Sequence, residues 1–171
     1  MKNKKLLAKI LNGLGLVIVI VVLGLLLPLT VPKVFGYEIY GILSDSMEPE
    51  IKTGSIVFVK EVNSDIIQVG DIITYKMGAD SDVVATHRVV EIDDENEEFI
   101  TKGDHNQTID ASPISYDRLL GRVEGSIPYW GAISLFIHSS TGLACIIIGF
   151  SISIFCWIFA DSIQRKLKKE K

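Results

Sequence analysis

The chain has 171 residues, enough for one modest domain with accessory segments, and its mean hydropathy of +0.36 is high for a soluble protein. Residues 1–9 and 161–171 hold nine of the 17 basic and two of the 21 acidic side chains, so the remainder has a net charge of −11. Such an acidic domain repels phosphates, which argues against a nucleic-acid partner. The two cysteines, Cys145 and Cys156, offer no disulfide framework and no zinc-ligand spacing, and we expect neither metal nor cofactor.

The first apolar run covers residues 10–29 and follows a basic segment, residues 1–9. Twenty residues span ~30 Å as a helix, which is enough to cross a hydrocarbon core. A cleaved secretory signal is the rival interpretation. We favour a retained membrane anchor because signal cores are usually shorter and residues 28–33 lack a small-x-small cleavage pattern.

A second apolar run covers residues 133–160 and precedes a basic tail, residues 161–171. Because basic residues flanking a span tend to stay in the cytoplasm, both ends of the chain are predicted to be cytoplasmic. Residues 30–132 are then predicted to form an extracytoplasmic domain between two membrane helices.

Between the two spans the pattern indicates β-structure. Short runs of β-branched and aromatic residues occur at residues 55–60, 71–76, 83–92, 99–102 and 119–124, and residues 93–98 read as an acidic hairpin turn. Strands of this length separated by turn residues favour a compact, mainly β domain with a coiled sheet or barrel-like form.

Ser46 lies in a polar stretch, residues 44–49, shortly after the first span. A serine needs a neighbouring base to become a nucleophile, and three histidines are available. His138 falls at the edge of the second span and His105 in a polar loop. His87 interrupts an otherwise apolar strand. A lone strand histidine is more often structural or exposed than catalytic, so its position alone is a weak signal.

A carboxylate is the third part that such a site requires, because it orients the imidazole and stabilises its protonated form. Asp104 follows Gly103 in a turn, and Asp110 comes six residues later. Either carboxylate could also be an ordinary turn or capping residue. The order of the residues alone does not choose between the two.

Several short stretches together resemble the type I signal peptidases of the endoplasmic-reticulum kind, which occur in eukaryotes, archaea and some Gram-positive bacteria. They are Ser46-Met47-Glu48-Pro49, Thr86-His87-Arg88, Thr101-Lys102-Gly103-Asp104 with Asp110, and Leu120-Gly121-Arg122-Val123 with Ile127-Pro128-Tyr129. The resemblance covers residues 38–131. It implies a serine endopeptidase that removes signal peptides from exported preproteins after small residues.

By this resemblance Ser46 is the nucleophile and His87 is the general base, at the position where the commoner bacterial branch has a lysine. Lys76 and Lys102 are the nearest lysines, and neither falls at that position. Asp110 matches the third catalytic residue best and Asp104 is the second candidate. The resemblance also implies that the Ser44 hydroxyl and the Ser46 amide bind the oxyanion, since two donors must face the developing charge.

The substrate of such an enzyme is an extended segment that can add to an exposed strand, here the strand that carries His87. Shallow apolar pockets using Ile42, Met47 and Val84 are expected to admit small side chains. The expected partners are secretory preproteins, the lipid bilayer and, in some relatives, accessory membrane subunits.

One position departs from the family pattern, which usually has glycine between the two serines where this chain has Asp45. A carboxylate pointing inward would oppose a developing oxyanion, so we expect Asp45 to face solvent. The departure also supports an alternative hypothesis, a catalytically impaired or non-enzymatic membrane-anchored β module that binds or scaffolds partners.

Overall fold

The computed structural model describes residues 2–78 and 81–169 and contains three α-helices and seven strands there. In chain order these are α1 (Lys2–Val34), β1 (Tyr37–Gly41), β2 (Ile56–Lys60), β3 (Ile72–Lys76), β4 (Val84–Asp93), β5 (Glu98–Lys102), β6 (Ile114–Ser115), β7 (Leu119–Ile127), α2 (Gly131–His138) and α3 (Ser140–Lys169). The chain divides into two compact units. One comprises Met1–Pro28 with Leu135–Lys171, and the other comprises Leu29–Ser134.

The second unit is built on one curled, half-barrel sheet with the strand order β1-β2-β7-β3-β4-β5-β6 and antiparallel pairing throughout. The predicted mainly β fold with flanking apolar helices is thus confirmed, as are the five predicted strands. The sequence reasoning missed β1, at one edge of the sheet, and the two-residue β6 at the other.

Three β-bulges interrupt the ladders of this sheet. Two lie on β7, where an extra residue stands opposite the Phe58–Val59 step of β2 and the Thr74–Tyr75 step of β3, and one lies on β4 between Val89 and Glu91. A bulge adds a residue to one strand, which bends that strand and increases its twist. The bulges therefore explain why the sheet curls, as the coiled-sheet prediction requires.

Two apolar clusters form the core of the sheet unit. One contains Ile67, Ile73, Tyr75, Val89, Phe99 and Ile114, and the other contains Ile42, Met47, Ile51, Val57 and Val59. The first cluster packs β3, β4 and β5 together. The second holds the β1–β2 connection, residues 42–55, against β2. The strand that carries His87 and the connection that carries Ser46 therefore each pack on one of the two clusters.

The first unit contains two long apolar helices that contact each other. The parts of α1 and α3 with the highest apolar content have mean hydropathies of 3.0 and 2.5, so each helix is long and apolar enough to cross a membrane. The Trp157 indole N–H lies 3.4 Å from the Asn12 carbonyl oxygen. Gly149 faces Ile18 and Val22. The two helices therefore run antiparallel.

The helices and the predicted spans have different boundaries. Helix α1 extends beyond residues 10–29 at both ends, and the apolar run 133–160 is divided between α2 and α3. The division lies at Ser139, whose hydroxyl donates to the Phe136 carbonyl oxygen at 2.6 Å and accepts from the Gly142 N–H at 3.0 Å. Ser139 thus caps α3. Of the predicted tail, Glu170 and Lys171 lie outside the described residues, as does Met1.

Candidate active site

Ser46 lies in the β1–β2 connection and is held there by its neighbour. The Met47 side chain is only 1% exposed and packs in the second core cluster. Two backbone hydrogen bonds close the turn: the Glu48 N–H donates to the Asp45 carbonyl at 2.9 Å, and the Ile51 N–H donates to the Met47 carbonyl at 2.8 Å. Met47 therefore anchors the turn in the core, and the adjacent Ser46 is half-buried at the surface.

His87 is brought to Ser46 by β4. The His87 Nε2 atom lies 3.1 Å from Ser46 Oγ, across 41 residues of sequence. Ser44 Oγ is also 3.1 Å from Ser46 Oγ. The structure therefore places two predicted site residues within hydrogen-bond distance of the Ser46 hydroxyl, one a base and one a second hydroxyl.

Asp110 lies on the other side of the imidazole. Its Oδ2 atom is 2.6 Å from His87 Nδ1, and both side chains are largely buried. The loop that carries Asp110 is fixed to β5, because the Asp110 N–H donates to the Thr101 carbonyl at 2.9 Å. Ser46, His87 and Asp110 thus form a continuous line of contacts through the two ring nitrogens.

Asp104 is engaged elsewhere. Its carboxylate accepts two hydrogen bonds from Arg88, one from Nε at 2.8 Å and one from Nη2 at 2.6 Å. This pairing with Asp104 raises the pKa of the Arg88 guanidinium above its ordinary value. Arg88 also donates to the Gly70 carbonyl at 2.7 Å. Of the two candidate carboxylates, the structure brings Asp110 and not Asp104 to the imidazole.

Gly103 explains how the loop after β5 reaches the serine. A Cβ at this position would lie 2.6 Å from the Ser46 carbonyl oxygen and 2.7 Å from Asn106 Nδ2. Without a side chain at Gly103, the loop approaches closely enough for the His105 N–H to donate to the same Ser46 carbonyl at 2.8 Å. The loop that carries the carboxylates and the loop that carries the serine are therefore joined directly through backbone.

A cleft of about 330 Å³ opens beside Ser46. It is lined by residues 40–44, 46–47 and 83–86, which include the three predicted pocket residues Ile42, Met47 and Val84. Ile42 and Met47 are buried and support its base, whereas Val84 is half-buried. The ladder between β4 and β5 begins at the Arg88–Lys102 pair, so the β4 residues along the cleft precede it.

Comparisons with known proteins identify the family. No protein-family model matches the chain. The signal peptidase complex catalytic subunit sec11 of Schizosaccharomyces pombe is 30% identical over 135 residues, which cover 63% of this chain and 71% of that relative. The chain belongs to the signal peptidase family, in its endoplasmic-reticulum-type branch.

Two further relatives lie in the same signal peptidase family. Signal peptidase I W of Bacillus subtilis is 41% identical over 98 residues, 55% of this chain and 50% of that relative. The human signal peptidase complex catalytic subunit SEC11C is 28% identical over 107 residues, 57% of this chain and 55% of that relative. The chain thus spans about half the length of these two relatives.

Four other residues that the sequence analysis considered, Asp45, Lys76, Lys102 and His105, lie outside the line of contacts from Ser46 to Asp110. Asp45 and His105 are exposed, and Asp45 thus faces solvent as expected. Lys76 ends β3 opposite Val84. Lys102 ends β5 and pairs with Arg88. In the ranges 2–78 and 81–169, no group of three or more His, Cys, Asp or Glu side chains could hold a metal ion.

The sequence analysis missed two side chains of the candidate site, Tyr75 and Thr101. The Thr101 hydroxyl donates to Asp110 Oδ2 at 2.7 Å, and the Tyr75 hydroxyl donates to the same atom at 3.2 Å. Burial raises the pKa of the Tyr75 phenol to about 12, so this hydroxyl stays protonated at neutral pH. Only the pairing of β3 and β5 with β4, which the sequence did not reveal, brings them to Asp110.

Proposed function

We propose that this chain is a membrane-bound serine endopeptidase that cleaves signal peptides from exported preproteins after small residues. The observation that carries the proposal is the line of contacts from Ser46 Oγ through His87 to Asp110, with distances of 3.1 and 2.6 Å. It occurs in a member of a family whose relatives are named signal peptidases.

In the proposed mechanism His87 Nε2 accepts the Ser46 proton as Ser46 Oγ bonds to the carbonyl carbon of the scissile peptide. Asp110 holds the Nδ1–H tautomer and stabilises the imidazolium that forms. His87 then gives its proton to the departing amine as the peptide C–N bond breaks. A water molecule, deprotonated by the same imidazole, hydrolyses the acyl-enzyme and restores Ser46.

The oxyanion of each tetrahedral intermediate requires donors that face it. We assign this role to the Ser44 hydroxyl and the Ser46 backbone amide. The 3.1 Å separation of the two hydroxyl oxygens places the Ser44 group beside the reacting atom. The exposed position of Asp45 removes the objection that its charge would oppose the oxyanion.

Substrate binding is assigned to the cleft beside Ser46. An extended peptide lying there can pair with the β4 backbone before the β5 ladder begins, which supports the predicted strand addition. Val84 lines this cleft, and Ile42 and Met47 form its base. A shallow base of this kind suits side chains as small as alanine.

The membrane and partner assignments are also proposals. Helices α1 and α3 are proposed to span the bilayer, which would let the enzyme meet membrane-inserted signal peptides in two dimensions. The relatives from Schizosaccharomyces pombe and human are named catalytic subunits of a signal peptidase complex. We therefore assign accessory membrane subunits to this chain as partners as well.

The decisive experiment is cleavage of a model preprotein by the purified full-length chain reconstituted in lipid vesicles. Ser46→Ala should abolish cleavage, because it removes the hydroxyl that is proposed to form the acyl-enzyme. Ser126→Ala is the matched control, since Ser126 is an exposed serine on β7 outside the cleft. Mass spectrometry of the products should place the cut after a small residue.

The same experiment separates the enzyme from the alternative, a non-enzymatic β module. A binding module would leave the preprotein intact in the wild type as well. Cleavage that survived Ser46→Ala would instead show that the nucleophile is misassigned. Acidification provides a second check, because protonated His87 cannot accept the Ser46 proton, and the rate should fall as the pH is lowered.

A further inference from the structure

We propose that Tyr75 and Thr101 are positioning residues that hold the Asp110 carboxylate, and through it the His87 imidazole, in the arrangement needed for proton transfer. This inference rests on the proposed protease function and extends the site beyond Ser46, His87 and Asp110. It concerns two hydroxyl groups on the strands that flank β4.

Three donors converge on one oxygen atom of Asp110. Oδ2 lies 2.6 Å from His87 Nδ1, 2.7 Å from the Thr101 hydroxyl and 3.2 Å from the Tyr75 hydroxyl. Tyr75 Oη is also 3.4 Å from both His87 Nδ1 and Thr101 Oγ1. The carboxylate is therefore held by two neutral hydroxyls in addition to the imidazole it orients.

The sheet explains why these groups meet. Tyr75 is on β3, His87 on the adjacent β4, and Thr101 on β5 at the other side of β4. The register pairs Tyr75 with Ala85 and Thr101 with Val89, each two residues from His87 on β4. Since side chains alternate between faces along a strand, all three lie on the same face of the sheet.

Burial makes the arrangement rigid. Tyr75 and Thr101 are 3% and 1% exposed, so neither hydroxyl can exchange its partner for bulk water at low cost. Thr101 also fixes the backbone beside the carboxylate, because its carbonyl accepts the Asp110 N–H at 2.9 Å. Packing alone would be served by phenylalanine and valine, so it is the two hydroxyl groups that need another explanation.

The physical effect of the two hydroxyls on catalysis is twofold. They restrict the rotation of the Asp110 side chain, which fixes the imidazole plane that faces Ser46. They also donate to the same carboxylate oxygen that lies against His87 Nδ1, and so share its charge with the imidazole. Removing one donor should therefore slow proton transfer and change its dependence on pH.

Three groups contact the His87 side chain in the described part of the chain. They are Ser46 from the β1–β2 connection, Tyr75 from β3 and Asp110 from the loop after β5. The neighbouring charges of Arg88 and Asp104 neutralise each other in their own pair. Tyr75→Phe removes a hydroxyl that contacts both the Asp110 carboxylate and the imidazole, so the pH profile of the rate should differ from that of the wild type.

The test uses the full-length chain in vesicles and the variants Tyr75→Phe and Thr101→Val, which keep the side-chain volumes. Each should lower kcat roughly 10-fold with little change in KM, the loss expected for one hydrogen bond to a charged group. Thr101→Ser should restore most of the rate, because it restores the hydroxyl. Tyr116→Phe is the matched control, since its phenol packs on Phe99 but donates to Asp94.

A second readout does not depend on catalysis. His87 Nδ1 lies 2.6 Å from Asp110 Oδ2, so the proton on this nitrogen should give a downfield resonance in the full chain in micelles. Tyr75→Phe and Thr101→Val should shift that resonance, and Tyr116→Phe should not.

The outcomes separate the two proposals. If the wild type cleaves, unchanged rates and pH profiles in both Tyr75→Phe and Thr101→Val overturn the positioning role. An equal loss in Tyr116→Phe also overturns it, because the effect would then be general destabilisation. If the wild type cleaves no preprotein, the protease function fails, and the imidazole resonance alone decides whether the two hydroxyls hold Asp110.

Discussion

Gly103 shows how closely the candidate site is packed at the scale of a single residue. Gly103→Ala would place a methyl group 2.6 Å from the Ser46 carbonyl oxygen, which belongs to the backbone and cannot rotate away. We expect a cost of about 1–3 kcal/mol in the free energy of unfolding and a loss of most cleavage activity, because the serine loop must move. Thermal unfolding and preprotein cleavage in micelles measure the two effects.

The control for that substitution is Gly125→Ala on β7. A Cβ there would lie 3.9 Å from the nearest atom, in the Phe58 ring, which is an ordinary contact. The variant should unfold and cleave like the wild type. Equal behaviour of the two alanine variants would contradict the inference that Gly103 is needed for the close approach of the loops.

Residue types and spacing predicted the residues that meet at the site, but not how they meet. Ser46, His87 and a nearby aspartate could be proposed because a serine nucleophile needs a base and a carboxylate. Asp104 and Asp110 follow Gly103 in one loop, and spacing does not reveal which side chain faces the imidazole. Which of the two carboxylates faces the imidazole depends on Arg88, which binds Asp104 from the neighbouring strand.

The loop after β5 is the element whose two carboxylates should respond differently to substitution. Asp110→Asn removes the charge beside the imidazole and can favour the wrong tautomer, so kcat should fall on the order of 10³-fold. Asp104→Asn weakens the bond to Arg88, which is about a third exposed, so stability should fall by only about 1 kcal/mol. Its effect on kcat should be no more than roughly 10-fold.

Single-turnover cleavage and thermal unfolding distinguish the two variants. The assignment of the orienting carboxylate would be reversed if Asp104→Asn removed activity and Asp110→Asn left it. Arg88→Lys provides a further control, because lysine keeps the charge but loses the paired donors of the guanidinium. It should behave like Asp104→Asn.

Elements were predictable where local pattern and tertiary structure agree. The β-branched runs became β2, β3 and β4 because each has an apolar side that packs in the core. β6 has only two residues and exists through its pairing with β5, which no local pattern contains. The helix break at Ser139 was hidden because hydropathy averages over the serine that caps α3.

At the scale of the whole molecule, the predicted membrane arrangement follows from charge. Helix α1 begins with a basic segment, and α3 ends with one. Basic segments are costly to move across a bilayer, so both chain ends are predicted to be cytoplasmic and the β unit extracytoplasmic. This arrangement would place Ser46 on the side where signal peptides emerge.

Single cysteines can test this arrangement after Cys145 and Cys156 have been replaced by alanine. A cysteine at Glu95, exposed in the β4–β5 turn, should react with a membrane-impermeant maleimide on intact cells. Cysteines at Asn3 and Gln164, exposed near the two basic ends, should react only after permeabilisation. Labelling at Gln164 in intact cells would contradict the predicted orientation of α3. Loss of the Asn3 site from the mature protein would show that the first span is a cleaved signal, since only a retained anchor keeps the basic start attached to the enzyme.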